Sequence, residues 1–528
     1  MTPEPVTMKT FGFGQQNILP ADTFGNKAAG LAAISTLGIP VPSGFSLSVS
    51  LCREYFAAGR IFSADSRQLL ARGIAFLEQA TGTVFAGDRR PLLVSVRSGA
   101  PVSMPGIMDT ILNVGLTPVS VRGLIARTGS PRFVYDTYRR FLENYGVTVF
   151  GHDPREYQRV LRAAIDQAGV SDERELDFQN LRALCQNFAA FYSSKEERLC
   201  LADGRRQLEC AVVAVLRSWM NPRAVEFRRM QQVDESIGTA VTVQAMVFGN
   251  MGSSSGAGVA FTRNPWSGAK ELLVDFRFGA QGEDVVSGAR PASSQAELAE
   301  RLPDVFRELL QTGTRLEEHF RDMQDIEFTV QEGRLFILQN RSGRRSPLAA
   351  LKIAVDLCQE GVITKAECLK RLTGIDLEKI ELQTVHAGEP PLSYGISASS
   401  GVATGSIAFS AERAVSDSLH GSVILVRETA SPEDITGIDA SAGILTARGA
   451  RTSHAAVVAR QMGKVCVVNC TDLVIDQGRH RCTIKGTPLH EGEIISIDGN
   501  SGAVYRGIVE IIRQRPDDLV SIVEGWRA

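Results

Sequence analysis

The chain has 528 residues, which is enough for about three or four domains of ordinary size. With 44% hydrophobic and 22% charged residues, the composition is that of a globular protein and excludes a disordered or fibrous chain. The 57 basic and 59 acidic residues give a net charge of −2, so no overall charge attracts nucleic acid or an anionic membrane.

The start of the chain and its cysteines indicate a cytoplasmic protein. MTPEPVTMKT contains no apolar segment of the kind that a secretory signal has. No run of about 18 or more uncharged apolar residues follows, so the sequence predicts no membrane span. The nine cysteines are scattered singly with no CxxC pair, which favours reduced thiols over a disulfide framework or a zinc site. We therefore expect a cytoplasmic location and neither nucleic acid nor a membrane as partner.

The first 232 residues predict an α/β segment followed by a helical one. In residues 20–110, GNKAAGLAAISTLG predicts a loop that enters a helix. IPVPSGFSLSV and PLLVSVRSG, rich in Val, Leu and Ser, predict strands. Residues 118–232 carry apolar residues at spacings of three and four and predict helices.

Strands return in the next hundred residues, at TAVTVQAMVFGN and GVAFTRNP. Ser294 and Glu297 have the spacing of a capping box and predict the start of a helix. DIEFTVQ and GRLFILQNR then predict two strands joined by a tight turn at Glu332 and Gly333.

The last third of the chain predicts a second α/β region. A helical stretch begins near residue 347, and the Pro-, Ser- and Gly-rich residues 386–401 predict a domain boundary with a linker. Short Val- and Ile-rich strands separated by glycine follow, with one helical stretch, HAAVVARQMG, among them. We expect a compact, β-rich α/β domain at about 392–510.

Thr-Ser-His at 452–454 is the first candidate for chemistry, because it lies between a strand with a glycine turn and a helix of small residues. His454 is expected at a helix N-terminus, where free N–H groups and the helix dipole favour an anion. A phosphorylated imidazole is such an anion, and histidine is a competent nucleophile for phosphoryl transfer. In an isolated Thr-Ser-His the more common alternative is that Thr452 or Ser453 only caps the helix.

The hairpin around residue 332 carries a second candidate. Asp325 and Glu327 alternate along one strand, so both carboxylates share a face and suit magnesium. On spacing alone, an exposed strand edge with solvated acids explains them equally well. Gln339 and Arg341 repeat the period on the next strand, so four polar groups converge, which favours a site.

The segment GILTARGARTSHAAVVAR, residues 443–460, closely resembles the phosphohistidine motif of the pyruvate phosphate dikinase and phosphoenolpyruvate synthase family. Further matches run in family order from about residue 20 to 505, and their text is more similar to pyruvate phosphate dikinase than to the synthase. They include LLVSVRSGAPVSMPGIMDTILNVG (92–115), VQAMVFGNMG (243–252), GVAFTRNP (258–265), AQGEDVVSG (280–288), RDMQDIEF (321–328) and VRETASPEDI (426–435).

The resemblance implies a fold and a domain order. It implies an α/β (α+β) chain whose first domain is an ATP-grasp nucleotide-binding domain and whose last is a swivelling phosphohistidine domain. The implied ranges are 1–345 for the ATP-grasp domain with its helical insertion at about 118–232, 346–391 for a helical linker, 392–510 for the phosphohistidine domain and 511–528 for a tail.

The resemblance also implies roles for individual residues, with ATP as substrate and Mg²⁺ as cofactor. His454 takes the catalytic role, and Asp325 and Glu327 take the metal. Thr452 occupies a position that is a regulatory phosphorylation site in some dikinases. The residues implied to bind nucleotide and phosphate are Lys27, Arg97, Glu283, Gln339 and Arg341.

Three departures from the family pattern stand out. The usual Gly-Gly-Lys-Gly is Gly25-Asn26-Lys27-Ala28 here, and Asn is expected to tolerate the left-handed backbone of that loop. Ala257 replaces the usual threonine, which removes a hydroxyl. Arg451 replaces a methionine and adds a charge near His454, either to steady the phosphorylated form or to face another acceptor.

The implied half-reaction converts ATP and phosphate to AMP and pyrophosphate and leaves a phosphoryl group on His454. The family carries a C-terminal barrel that binds pyruvate and phosphoenolpyruvate, and the 528 − 510 = 18 residues after 510 are too few for one. Our leading hypothesis is a short dikinase-type phosphotransferase that passes the group to pyruvate on a barrel supplied by another protein. The alternatives are a different small-molecule acceptor, as in rifampicin phosphotransferases, and a non-catalytic nucleotide-binding regulatory protein.

Overall fold

The computed structural model describes residues 5–12, 14–101, 108–230, 232–286, 295–386, 390–451 and 453–527. These residues form helices and sheets, which confirms the predicted α/β class. By their contacts they divide into two compact units. The first is Met1–Val247 with Phe336–Gln339, and the second is Phe248–Leu335 with Asn340–Ala528.

The first unit contains a mainly antiparallel α/β part and a long helical part. Its strands are β1 (Met8–Phe11), β2 (Gly44–Leu47), β3 (Val84–Phe85), β4 (Pro91–Leu92), β5 (Val94–Gly99), β6 (Thr110–Val114) and β7 (Ala240–Ala245). Its α-helices are α1 (Ala21–Thr36), α2 (Ser50–Ala57), α3 (Ala64–Thr81), α4 (Pro118–Thr128), α5 (Pro131–Tyr145), α6 (Pro154–Ala168), α7 (Phe178–Ala190), α8 (Lys195–Ala202), α9 (Gly204–Ser218) and α10 (Pro222–Met230). Within the described residues, one antiparallel sheet has the order β1-β2-β7-β5-β6, and β3 and β4 form a short parallel pair.

The region predicted to be helical holds α4 to α10 and no strand among its described residues. A π-helical turn at Gly146–Phe150 extends α5 and ends at Gly151, whose left-handed backbone (φ 74°) stops the helix. Helix α9 packs against β5 and β6, and its buried side chains include Leu208, Val212 and Val215. The helical part is therefore joined to the sheet by a shared apolar core.

The second unit holds the remaining elements, except that Phe336–Gln339, in the middle of the strand Arg334–Ser342, belong to the first unit. Its strands are β8 (Gly256–Phe261), β9 (Leu273–Phe278), β10 (Gln324–Gln331), β11 (Arg334–Ser342), β12 (Leu382–Val385), β13 (Ser393–Tyr394), β14 (Ile396–Ser399), β15 (Val402–Ala408), β16 (Val423–Arg427), β17 (Gly443–Thr446), β18 (Val465–Val468), β19 (Leu473–Asp476), β20 (Arg481–Ile484), β21 (Thr487–His490), β22 (Ile494–Asp498), β23 (Ala503–Arg506) and β24 (Ile511–Gln514). Its α-helices are α11 (Gly282–Val286), α12 (Gln295–Arg301), α13 (Pro303–Phe320), α14 (Pro347–Gln359), α15 (Lys365–Arg371), α16 (Ala411–Ser418), α17 (Ile435–Ala440), α18 (His454–Met462) and α19 (Asp517–Arg527).

Two sheets dominate the described part of this unit. The first has the order β11-β10-β8-β9, and its β10–β11 turn is made by Glu332 (φ 50°) and Gly333 (φ 74°), as predicted. The second has the order β13-β23-β22-β15-β16-β17-β18-β14, with β15 to β18 parallel. Smaller sheets pair β12 with β24 and join β19, β20 and β21.

The parallel strands explain the near-continuous apolar runs of the last third of the chain. Ile424 and Leu445 belong to one core cluster, which also holds residues of β20 and β22. Their neighbours Leu425 and Ile444 belong to another, which holds the apolar face of α18. Because these strands are buried on both faces, they lack polar alternation.

Three details differ from expectation or lie outside the described residues. Besides HAAVVARQMG, the structure has α16 and α17, which are too short for a clear apolar period. Residues 393–401, expected in the linker, include β13 and β14 of the large sheet, because their Ser and Ala side chains fit a buried strand despite weak strand propensity. Ser294 of the expected capping box lies outside the described residues.

Helix length bears on membrane location. Among the described residues, no helix is both long enough and apolar enough to cross a membrane.

Candidate active site

Gly25 breaks α1 and sets the position of Lys27. Its backbone (φ 79°, ψ 154°) is not helical. A Cβ atom placed there would lie 1.9 Å from the carbonyl oxygen of Gly99 at the end of β5, so only glycine fits. Lys27 follows in the first turn after this break, half-buried. The predicted entry into a helix is therefore present as a kink inside α1.

Asn26 does not adopt the left-handed backbone conformation that it was expected to tolerate in this turn. The left-handed backbone belongs to Gly25, and Asn26 is not among the residues with positive φ. Asn26 instead donates its backbone N–H to the Ala100 carbonyl at 3.4 Å, and its side-chain amide donates to the Pro101 carbonyl. The replacement of the family's glycine thus adds a side-chain tie to the residues after β5.

Arg97 lies on β5 within the same unit, partly buried. Its Nη1 donates to the Leu338 carbonyl at 3.4 Å, next to the half-buried Gln339. This contact brings Arg97 beside the strand segment that carries Gln339. Residues 102–107, the centre of the phosphate-binding motif inferred from the sequence, lie outside the described residues.

Asp325 and Arg341 of the second unit form an ion pair, as the hairpin pattern suggested. Asp325 is 5% exposed, and Nε and Nη2 of Arg341 both lie 2.7 Å from its Oδ2. Its other oxygen, Oδ1, is buried and has no hydrogen-bond partner among the described residues. Burial raises the pKa of Asp325, and the Arg341 guanidinium works in the opposite direction. One oxygen of this carboxylate is therefore paired by the protein, and the other is buried without a partner within the described residues, which is costly.

Glu327 lies two residues further along β10, on the same side of the strand and half-buried. Its charge also raises the pKa of Asp325, so the two carboxylates repel each other. No group of three or more His, Cys, Asp or Glu side chains that could enclose a metal occurs among the described residues. The bare Oδ1 and the second carboxylate nevertheless fit Mg²⁺, which takes one or two carboxylates and fills its other positions with water or phosphate oxygens.

The turn before α18 presents His454 at the helix start, where the sequence predicted it. Ser453 is the N-cap, and its Oγ accepts from the Ala456 N–H at 3.5 Å. His454 is the first helical residue, so the helix N-terminus, with its favourable field for an anion, lies at this histidine. The side chain of His454 and all of Thr452 lie outside the described residues.

Arg451 has partners that sequence reasoning missed. Its Nη1 donates to Oδ1 of Asp275 on β9 at 2.8 Å, and its backbone N–H donates to Oδ2 at 2.9 Å. The guanidinium also lies 5.8 Å from the ring centroid of Trp266, whose Nε1 donates to the Ala398 carbonyl at 2.9 Å. The only sequence signal was the departure from the family pattern at Arg451, because nothing in the chain spacing links it to Asp275.

Arg460 is a second residue that the sequence did not single out. It lies on α18, and its Nη2 donates to the Arg451 carbonyl at 2.6 Å while its Nε donates to the Ala456 carbonyl at 2.9 Å. Burial lowers the pKa of Arg460, and the charge of Asp325 opposes that shift. The helix of His454 is thus electrostatically coupled to the acidic face of β10.

Glu283 is the remaining candidate. It belongs to the short helix α11, and its side chain lies outside the described residues. The same helix begins with a backbone contact in which Gln281 N–H donates to Oδ2 of Asp284 at 2.9 Å.

Two profiles of known families match parts of the chain. A profile described as "Pyruvate phosphate dikinase, AMP/ATP-binding domain" matches residues 60–295 and 291–360. A profile described as "PEP-utilising enzyme, mobile domain" matches residues 419–502. The first match contains Arg97, Asp325 and Arg341, and the second contains His454.

Curated relatives match nearly the whole chain. It is 42% identical to a pyruvate, phosphate dikinase of Clostridium symbiosum over 507 residues, which are 95% of this chain and 58% of that protein. It is 43% identical to a pyruvate, phosphate dikinase of Rhizobium meliloti over 524 residues, 96% of this chain and 58% of the relative. For the chloroplastic pyruvate, phosphate dikinase 1 of Arabidopsis thaliana the identity is 40% over 505 residues, 94% and 52% of the two chains. The chain therefore spans less than two thirds of the length of these relatives.

Proposed function

This chain belongs to the pyruvate phosphate dikinase family, and from that premise we propose that it is an ATP-dependent phosphotransferase whose phosphate carrier is His454. In the proposed half-reaction ATP and phosphate are converted to AMP and pyrophosphate, and the phosphoryl group is left on the imidazole of His454. The phosphoryl group then passes to pyruvate, giving phosphoenolpyruvate.

The observation that carries this proposal is the buried Asp325 carboxylate with its bare Oδ1. A buried carboxylate oxygen without a partner is costly unless a cation neutralises it. Arg341 holds the other oxygen and so orients the group. Such a carboxylate suits a site in which a bound nucleotide brings the cation.

Asp325 and Glu327 would hold Mg²⁺, which neutralises the charge of the transferring phosphoryl group when bound. On resemblance we also propose that Arg97 and Lys27 of the first unit bind phosphate oxygens of the nucleotide, a role that suits a guanidinium and an ammonium group. Gln339, Arg341 and Glu283 complete the proposed set of nucleotide and phosphate ligands.

The helix N-terminus at His454 supports the role of carrier. Backbone N–H groups and the helix dipole favour the negative charge of a phosphorylated imidazole at this place. Arg460 and Ser453 hold the turn through the Arg451 carbonyl and the helix cap. Thr452, beside the carrier, is a proposed regulatory phosphorylation site on resemblance alone.

We propose the domain ranges on the same basis. The nucleotide-binding domain takes residues 1–345 with its helical insertion, and the phosphohistidine domain takes 392–510, joined by the helical segment 346–391. Pyruvate would be bound by a barrel domain of the family type, and that domain can be supplied as a separate protein in the test.

The test is labelling with ATP that carries radioactive phosphorus in the β-position. The unchanged protein should acquire an acid-labile label, and His454→Asn should abolish it while nucleotide binding stays nearly intact, because Asn has no nucleophilic nitrogen. His420→Asn, the same substitution at an exposed histidine of the same region, is the matched control and should label normally.

The outcomes separate three functions. Undiminished labelling of His454→Asn would place the phosphoryl group on another residue. A labelled protein that transfers to pyruvate only when barrel protein is added supports the dikinase proposal, and transfer to another small molecule instead would show a different acceptor. A protein that binds nucleotide but never labels would be a regulatory binding protein.

A further inference from the structure

Two cysteines that are ten residues apart in the sequence meet in the helical part of the first unit. Cys200 lies in the last turn of α8 and Cys210 in the second turn of α9, and the single residue Asp203 separates the two helices. Their sulfur atoms are 3.2 Å apart. That distance is about 1.2 Å longer than a disulfide bond.

The pair is unusual among the cysteines of this chain. All nine cysteines are free thiols, and no other two of them make a sulfur–sulfur contact within the described residues. Cys200 is fully buried, whereas Cys210 is partly exposed. Cys210 is therefore the more exposed member of the pair, and exposure favours oxidation.

The surrounding contacts keep the two thiols together. Gln207, fully buried on α9, donates through Nε2 to the carbonyls of Leu201 on α8 and Leu116. Tyr145 donates to the Gln207 carbonyl at 3.0 Å and is itself fully buried. Because these contacts fix the junction of α8 and α9, the sulfur atoms stay close without a covalent bond.

The two thiols are not equivalent. The hydrogen bond between the two thiols lowers the pKa of Cys210, although burial opposes the shift. The same hydrogen bond and burial both raise the pKa of Cys200. Cys210, whose pKa is lowered, is also the partly exposed member of the pair.

We propose that Cys200 and Cys210 form a redox-sensitive dithiol that closes to an intramolecular disulfide when hydrogen peroxide oxidises it. In the first step the Cys210 thiolate attacks a peroxide oxygen, the S–O bond forms, the O–O bond breaks and hydroxide leaves. In the second step the Cys200 sulfur attacks the sulfenic sulfur, the S–S bond forms, the S–O bond breaks and, after proton transfer, water leaves. Together the thiols lose two electrons and one peroxide is reduced to two waters, and a dithiol reductant reverses the closure.

This modification site does not depend on the proposed phosphotransferase activity. Its structural consequence is a covalent tie between α8 and α9, and α9 packs against β5, the strand of Arg97. A closed disulfide should therefore raise the melting temperature of the helical part.

Mass spectrometry of tryptic peptides tests the proposal on the unchanged protein. Trypsin cuts after Arg198, Arg205 and Arg206, so Cys200 falls in LCLADGR and Cys210 in QLECAVVAVLR. After mild peroxide treatment and alkylation, the two peptides should appear as one disulfide-linked species, and dithiothreitol should abolish it. If both peptides instead remain separately alkylated while other cysteines oxidise, the proposal is wrong.

Two variants locate the chemistry. Cys200→Ser removes the second sulfur, so oxidation of Cys210 should stop at the sulfenic acid, which dimedone traps. Cys358→Ser is the matched control because Cys358 is also partly exposed, and it should leave the linked peptides unchanged. Oxidation of Cys210 should be at least about tenfold faster than that of Cys358. Equal rates, or a dimedone adduct in the unchanged protein as large as in Cys200→Ser, would overturn the proposal.

Discussion

Two groups of carboxylates and guanidinium ions in the second unit differ in how completely their charged groups are paired. This difference separates a structural network from a candidate site. Around Arg263, the carboxylates of Glu317 and Glu360 are matched by cations of the protein itself. Around Asp325, one carboxylate oxygen is matched and the other is left bare. Arg263 and Asp325, the centres of the two groups, are both buried, so the difference lies in how completely their partners are paired.

In the network around Arg263, nearly all charged groups are paired with each other. Arg263 is fully buried, and its Nε and Nη2 donate to Glu317 at 2.9 Å while Nη2 also donates to Glu360 at 2.8 Å. Lys270 and Lys352 add contacts to Glu360 and Asp356. Burial alone would lower the pKa of Arg263, but its hydrogen bonds to Glu317 and Glu360 raise it. Such a network needs no external ion.

The charges around Asp325 are paired less completely than those around Arg263. Its partner Arg341 is 42% exposed, its neighbour Glu327 has the same charge, and burial raises the pKa of the acid. One oxygen of this buried carboxylate therefore has no partner among the described residues. Incomplete neutralisation, rather than the mere presence of acidic residues, marks the candidate site.

Breaking the complete network should have the largest effect on stability. Arg263→Met leaves Glu317 and Glu360 without their shared buried partner, so we expect a loss of about 3–5 kcal/mol in the free energy of unfolding. Urea unfolding followed by tryptophan fluorescence measures it. Arg341→Met, the same substitution at the incomplete pair, should cost far less, because Asp325 can take up a proton. Equal losses for the two variants would remove the distinction between the networks.

Neutralising the incomplete pair should affect chemistry instead. Asp325→Asn should lower the rate of His454 phosphorylation at least about 100-fold, because charge stabilisation of the transferring group is the main catalytic contribution. Glu327→Gln should act in the same direction. The urea midpoint should stay or rise, since a costly buried charge is removed. Asp304→Asn, at a site whose side chain is 90% exposed, is the control. Normal phosphorylation in both site variants would contradict the assignment.

Loss of the contact between Arg451 and Asp275 should have an effect on stability between those expected for the two networks. Because the Arg451 backbone N–H still donates to Asp275 after Arg451→Met, only part of the interaction is lost. A double-mutant cycle with Asp275→Asn should give a coupling of about 1–2 kcal/mol in the free energy of unfolding. A coupling near zero would mean that the side-chain ion pair contributes nothing to the position of the histidine turn.

The pH dependence should be the smallest effect and opposite in sign at the two networks. Since the pKa of Asp325 is raised, its contribution to stability is present below its unfolded-state pKa and is lost as the pH rises through its folded-state pKa. Burial opposes the shift at Glu360, but hydrogen bonds from Arg263 and Lys270 lower its pKa, so its contribution is present above its unfolded-state pKa and is lost as the pH falls.

Urea midpoints between about pH 3 and pH 7, around the ordinary carboxyl pKa values, measure both contributions. Asp325→Asn should improve stability relative to the unchanged protein at the upper end of this range, and Glu360→Gln should reduce it there. The same sign for both variants would contradict the comparison.

Local patterns in the sequence were sufficient for much of the fold and for part of the site. The predicted helices between 118 and 232, the hairpin at Glu332 and Gly333, and the start of α18 at His454 are all present in the described residues. Each depends on apolar period, turn chemistry or a cap, which act over a few residues. The alternation of Asp325 with Glu327, and of Gln339 with Arg341, follows in the same way from strand geometry. Family membership could also be inferred from the sequence, since it rests on motifs in the chain.

Only the tertiary structure decided which residues distant in the chain are in contact. Asp275 and Arg451 are 176 residues apart, and no sequence pattern pairs them. The cysteines looked scattered until the junction of α8 and α9 brought two sulfur atoms to 3.2 Å. Likewise, the sequence left Asp325 equally suited to a solvated strand edge, and only its burial, with one oxygen bare, separates the two explanations. The physical reason is that burial and charge pairing depend on how elements pack, and packing joins residues whose spacing along the chain carries no signal.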